Sequence, residues 1–164
     1  MTKPVKIVTD STVYLPPEVI AGHDIRVVPL KVAFGTEVYS EGVDITNQEF
    51  YLRLARASTL PTTSQPPASD FLKVYTELTQ KGHPILSIHL SSWLSGTVNS
   101  AMTARKSLPQ AEIEIVDAQS LTMGMLVTPA AEAAERGRTL NQIKASIDRL
   151  NACINMVGVL DTLD

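Results

Sequence analysis

Two hydroxyl-rich runs carry the chemistry of this chain: Thr62-Thr63-Ser64-Gln65-Pro66 and Leu90-Ser91-Ser92-Trp93-Leu94-Ser95-Gly96-Thr97. Each precedes apolar residues at helical spacing, so each is expected to open a helix. A helix start leaves backbone N–H groups unpaired and carries the positive end of the helix dipole. With Thr and Ser side chains added, it can hold a carboxylate or phosphate without a lysine. The two starts together predict one anion cradle containing Thr63, Ser64, Ser95 and Gly96. Plain N-capping is the competing reading of the same hydroxyls. Gly96 favours the cradle, because a glycine beside a helix start permits close backbone approach by an anion. Asp10, where the first strand ends, is a secondary candidate for orienting a ligand or holding the neighbouring loops.

A rival reading is an enzyme acting on a small acid or phosphate ester at the same cradle, with His89 as base and Ser95 as nucleophile or anchor. Against it, Trp93-Leu94-Ser95-Gly96 lacks the glycine two residues before the serine that a nucleophile elbow requires. The sequence has neither a phosphate-binding loop ending in Gly-Lys-Ser/Thr nor a Gly-x-Gly-x-x-Gly fingerprint. His23, His83 and His89 have no partners at metal-ligand spacing. The single Cys153 excludes an intramolecular disulfide and a cysteine-based zinc cluster, and its apolar neighbours predict core packing. No catalytic residue, metal or cofactor is assigned.

The elements that must position the cradle follow from periodicity and breakers. Lys6–Thr9 reads as a strand, and Pro16-Pro17 opens a brief helix. Ile25–Ala33 reads as an edge or bulged strand interrupted by Pro29, with Gly35 turning it into a hairpin around Val38-Tyr39. Thr46 and Glu49 form a capping-box pattern for a helix ending near Ala57. A helix then runs from Pro66-Pro67 to Lys81-Gly82, followed by the strand Ile85–His89 and a helix closed by Pro109. Glu112–Asp117 is the next strand, with helices at Ser120–Arg136 and Leu140–Leu150 and a last strand at Ile154–Leu160. This alternation predicts an α/β fold with a largely parallel sheet flanked by helices. Ligands of such sheets sit beyond the carboxyl ends of the strands.

With 164 residues, 44% hydrophobic and 19% charged, the chain suits one ordinary domain. A net charge of -3 with dispersed Lys and Arg gives no footprint for nucleic acid. No apolar run is long enough to cross a bilayer and the start lacks a signal-peptide pattern, so a cytoplasmic protein is expected.

The sequence resembles the DegV family of bacterial fatty-acid-binding proteins. Val8-Thr9-Asp10-Ser11-Thr12 with Leu15-Pro16 is similar to the family's opening, Val28-Pro29-Leu30 to its second segment and Thr62–Pro66 to its most recognisable motif. Ile88–Thr97 with Ser100-Ala101 resembles its serine-rich loop and helix, and Val116-Asp117 through Ser120 and Gly124 its next strand and turn. The resemblance implies a lipid-binding carrier, not an enzyme. It would bind a long-chain fatty acid and present the carboxylate to a separate fatty acid kinase, which makes the acyl phosphate for phospholipid synthesis. It also implies that Thr63 and Ser95 hydrogen-bond the carboxylate, with Ser64 and Gly96 shaping the pocket.

Family members continue into a second α/β domain, and their ligand lies between the two. Residues 1–151 therefore correspond to the first domain and residues 152–164 to a stub of the second. The unpaired strand expected at Ile154–Leu160 would dock on its own domain or drive a homodimer.

Overall fold

The computed structural model describes residues 3–119, 121–157 and 159. Strands β1 (Lys6–Asp10), β2 (Arg26–Val28), β6 (Ile85–His89) and β7 (Ile113–Asp117) form a parallel sheet in the order β2-β1-β6-β7. The alternation read from the sequence is borne out. Helix α1 (Pro17–Gly22) follows β1, α4 (Thr97–Lys106) joins β6 to β7, and α5 (Gly124–Glu135) and α6 (Leu140–Cys153) complete the chain. Helix α3 (Ala68–Gln80) leads into β6.

The period-2 pleat sends alternate residues to two cores. Ile7, Leu86, Ile88 and Val116 pack with Leu126 and Val127 of α5 and Ile143 and Ile147 of α6. Val8, Ile85 and Ile113 pack on the other face with Phe71 and Tyr75 of α3 and Ala101 and Ala104 of α4. With helices on both faces, β6 is buried along its whole length, as a central parallel strand should be.

The expected strand over Ile25–Ala33 is two strands in different sheets. Pro29 has no N–H to donate, and the chain leaves the edge strand β2 there. It resumes as β3 (Lys31–Phe34), which forms an antiparallel sheet with β4 (Glu37–Ser40) and β5 (Thr62–Ser64) in the order β4-β3-β5. Gly35, in the left-handed region at φ +60, makes the expected hairpin turn. Between β4 and β5 lies α2 (Asn47–Leu54), where the Thr46 hydroxyl accepts the Glu49 N–H as the sequence predicts.

Four further expectations need correction. The first hydroxyl run opens no helix: Thr62–Ser64 is the exposed strand β5. Two β-branched threonines suit a pleated edge, and a residue before proline is pushed out of the helical region, so α3 waits until Ala68. Helix α5 begins at Gly124 rather than Ser120, a residue outside those described. Ile154–Val157 and Val159 form no strand, although Ile154 packs against the core; Gly158 and Leu160 lie outside the described residues. The strand-mediated route to a dimer therefore has no strand among the described residues. Finally, Cys153 is exposed, because the buried face of α6 is Leu140, Ile143, Ile147 and Asn151, and Cys153 falls off that spacing.

Candidate functional site

The loops beyond the carboxyl ends of β1, β6 and β7 are tied to one another by buried polar groups. Asp10 ends β1 and is fully buried. Its Oδ1 accepts the Thr12 N–H at 3.1 Å and the Thr12 hydroxyl at 2.5 Å, which shapes its own loop. Its Oδ2 accepts the Leu90 N–H at 3.2 Å and lies 3.0 Å from His89 Nδ1. One carboxylate thus clips the start of the serine-rich loop to the end of β1. Asp10 holds the loops from beneath and has no exposed surface to offer a ligand.

The chain of bonds continues through the core, with Ser87 Oγ 2.6 Å from His89 Nε2 and the Tyr75 hydroxyl donating to Ser87 Oγ at 2.7 Å. All four side chains are fully buried. Tyr75 has a proton to give and Ser87 has only one, so every group is satisfied in a single arrangement. Tyr75 donates to Ser87, Ser87 to Nε2, and Nδ1–H to Asp10. Burial pushes the Tyr75 phenol up, which keeps it a donor. Burial also pulls the Asp10 carboxyl upward, but the hydrogen bonds from His89, Thr12 and Leu90 outweigh it and hold Asp10 below its ordinary value.

This geometry bears directly on the rival enzyme reading. Both ring nitrogens of His89 are engaged, by Asp10 and Ser87. Ser95 Oγ instead lies 2.9 Å from Thr97 Oγ1 and accepts the Thr97 N–H at 3.3 Å. Neither Ser91 nor Ser95 is bonded to His89; the Ser91 Oγ accepts the Trp93 N–H at 3.3 Å.

Helix α4 begins as the second hydroxyl run predicts. Gly96 is its N-cap and has no side chain to bond the first-turn N–H groups. Gln65, two residues beyond Thr63, reaches across to this point, and its Nε2 donates to Ser100 Oγ at 3.3 Å. The two hydroxyl runs are therefore joined, although only one of them is a helix start. The absence of a Cβ at Gly96 makes this possible: one added there would stand 2.6 Å from the Gln65 Cδ. Gly96→Ala should displace the flexible Gln65 side chain and lower the thermal midpoint by only about 2–4 °C. Loss of the Gln65 side-chain amide shift in an NMR spectrum, with that small change in midpoint, is the expected signature.

Thr63 and Ser64 do not point the same way. Thr63 lies opposite buried Val32 and Ser64 opposite Lys31, so the pleat sends their side chains to opposite faces of the small sheet. Lys31 therefore flanks Ser64, with its ammonium 3.2 Å from Asp70 and 3.0 Å from Ser40 Oγ. Gln65 and Asp117 are the contributors that sequence reasoning missed. Asp117 accepts the Ser92 N–H at 2.8 Å and the Ser92 hydroxyl at 2.5 Å, fixing the far side of the loop. Asn151 of α6 donates to the Asp117 carbonyl and accepts the Gln119 N–H. At the tip of the tethered loop Trp93 is 96% exposed, with Leu94 exposed beside it.

Among the described residues, no cluster of His, Cys, Asp and Glu could hold a metal, and no helix is long and apolar enough to cross a membrane.

Residues 4–164 match the family model described as an uncharacterised protein of the DegV family. A DegV domain-containing protein of Clostridium perfringens is 35% identical over 98% of this chain and 58% of its own length. Solved structures agree in fold. A DegV family protein from Thermus thermophilus, described for its fatty acid binding, is 38% identical with a TM-score of 0.82, covering 91% of this chain and 54% of its own. Bacillus subtilis DegV, described as a fatty acid binding protein, is 32% identical with a TM-score of 0.81, covering 92% of this chain and 54% of its own. The chain thus spans little more than half the length of the relatives it matches. With the family model matching from residue 4 to residue 164 and relatives of this similarity aligned along nearly all of it, the chain belongs to the DegV family.

Proposed function

We propose that this chain binds the carboxylate of a long-chain fatty acid at the N-terminus of α4, as part of a cytoplasmic carrier. That carrier presents the acid to a separate fatty acid kinase for acyl-phosphate formation. The observation that carries the reading is the α4 start, where Ser95 Oγ meets the Thr97 N–H but Gly96 offers no side chain to the first-turn N–H groups that follow. Solved relatives described as fatty-acid-binding share this fold.

Thr63 and Ser95 are the carboxylate's hydroxyl donors in this reading. Gln65, held extended by the following proline, shares the Thr63 face and reaches α4, which favours Thr63 over Ser64 as the direct contact. Ser64 and Gly96 shape the surroundings, and Asp10 positions the loop from below. Neutral hydroxyls suit a carrier, because a lysine clamp would stabilise the ionised carboxylate strongly and oppose its handover. The chain supplies no catalytic residue. Exposed Trp93 and Leu94 form an apolar rim for the start of the acyl chain.

Native mass spectrometry of the chain supplemented with oleate tests this. One fatty acid per chain is expected, and the adduct should disappear when Thr63→Val and Ser95→Ala are combined. An adduct of equal abundance in the double variant would move the site elsewhere.

A further inference from the structure

A cavity is lined by residues of the loop after β1, of α1, of β2 and of the turn after β4, and by none of the residues at the α4 start. It has a volume of about 780 Å³ and follows the free edge of β2, between α1 and the turn after β4. Its walls include Val13, Leu15, Ile20 and Val43, and Glu41 enters it. That size and an apolar lining with few polar groups are the ordinary attributes of a small-ligand site.

Glu41 is the feature that the fold alone does not explain. It is half-buried, and among the described residues no cation lies within ion-pair distance of its carboxylate. The other charged groups lining the cavity pair elsewhere: Asp24 with Lys6, and the Arg26 guanidinium with Glu77 at 2.7 Å, its Nε left without a hydrogen-bond partner 4.0 Å from Asp24. Glu41 is held instead by hydroxyls. Ser11 accepts the Leu30 N–H at 2.9 Å and gives its only proton to Glu41 Oε2 at 2.6 Å. The Tyr14 hydroxyl makes a longer contact of 3.4 Å with Oε1. A carboxylate offers about four acceptor positions, so two remain open to the cavity.

Tyr14 adds a second observation. It sits in the left-handed region at φ 46, ψ 39, which is costly for a bulky aromatic side chain. Backbone strain of this kind persists where a site uses the side chain it places. Here the strain brings an aromatic ring and a phenol to the rim above an uncompensated carboxylate.

We propose that this cavity is a binding site for an organic cation, with an ammonium group on Glu41, the Tyr14 ring beside it and an apolar body against Val13, Leu15 and Ile20. An anionic lipid headgroup or fatty acid carboxylate is the wrong charge for it, so the site is separate from the α4 cradle. The cation has two chemical sources, a free alkylamine or the lysine side chain of a protein partner.

The test is an NMR titration of the 164-residue chain with n-hexylammonium, 1-hexanol and N-acetyl-lysine methylamide. Saturable shifts at residues 13–15 and 41–43 are expected with the ammonium probes, with at least tenfold weaker binding for hexanol. Glu41→Gln should weaken the ammonium probes at least tenfold. Tighter binding of the lysine amide assigns the source to a protein side chain, and tighter hexylammonium to a free amine. Tyr14→Asn, which tolerates the left-handed region, should raise the thermal midpoint by about 2–4 °C while weakening the ammonium probes at least threefold. Hexanol binding as tightly as hexylammonium would overturn the proposal without recourse to any variant. Displacement of hexylammonium by oleate would overturn it too, by giving the cavity to an acyl chain.

Discussion

Asp10→Ala should lower the thermal midpoint by roughly 6–20 °C, because it leaves a set of buried donors without their ionised acceptor, at about 1–3 kcal/mol for each unsatisfied group, and a chain of this length shifts about 2–4 °C per kcal/mol. The cost is large because the carboxylate answers several donors at once. Without it the His89 Nδ1–H, the Leu90 N–H and the Thr12 N–H and hydroxyl lose their acceptor, in a site where water has no access to Asp10 or His89. The pH dependence has a definite sign. The Asp10 carboxyl is held below its unfolded value, so its contribution is present above about pH 4 and is lost as pH falls through the depressed folded value. Melting curves of wild type and Asp10→Asn between pH 7 and pH 2 should therefore converge on acidification. A gap that instead widens as pH falls from 7 toward about 4 would show that the Asp10 carboxyl is held above its ordinary value in the folded chain.

Thr63→Val and Ser95→Ala should each weaken fatty-acid binding roughly 10- to 100-fold, since a hydrogen bond to a charged group contributes about 1.5–3 kcal/mol. Both changes should leave the melting temperature nearly unaltered. Thr63 lies on an exposed strand and valine keeps its branched shape; the Ser95 bond to Thr97 is local to the loop. Ser64→Ala is the control that the pleat supplies, with affinity expected within about threefold of wild type because its side chain lies on the opposite face. Isothermal titration with oleate reads all three. Equal losses for Thr63→Val and Ser64→Ala would mean that the β5 register does not select the ligand-facing hydroxyl.

The two predictions draw on different parts of the site. The loop framework depends on Asp10, His89, Ser87 and Tyr75, none of which has solvent exposure. The hydroxyls proposed to face the ligand, Thr63 and Ser95, are exposed and half-buried. Pre-organisation of this kind lowers the ordering cost of binding, since the loop from Leu90 to Gly96 is pinned at its start by Asp10 and farther along by Asp117.

By itself the sequence determined the repetitive parts: the parallel strands Lys6–Asp10, Ile85–His89 and Ile113–Asp117, the helices between them, and the hairpin at Gly35. These are legible because side-chain periodicity and breakers act over a few residues, and nothing distant has to be known. It also marked Gly96 and the serine-rich loop, because a glycine at a helix start carries a local geometric meaning. Tertiary structure alone decided that Thr62–Ser64 is a strand, since an isolated run of hydroxyls suits a cap or an edge equally well until β3 offers its ladder. It also sent His89 to Asp10, a partner 79 residues away in sequence, and left Cys153 outside the core. Side-chain chemistry announces what a residue is able to bond. Which of several bonds it makes depends on packing between segments distant in sequence, and only the folded chain brings those together.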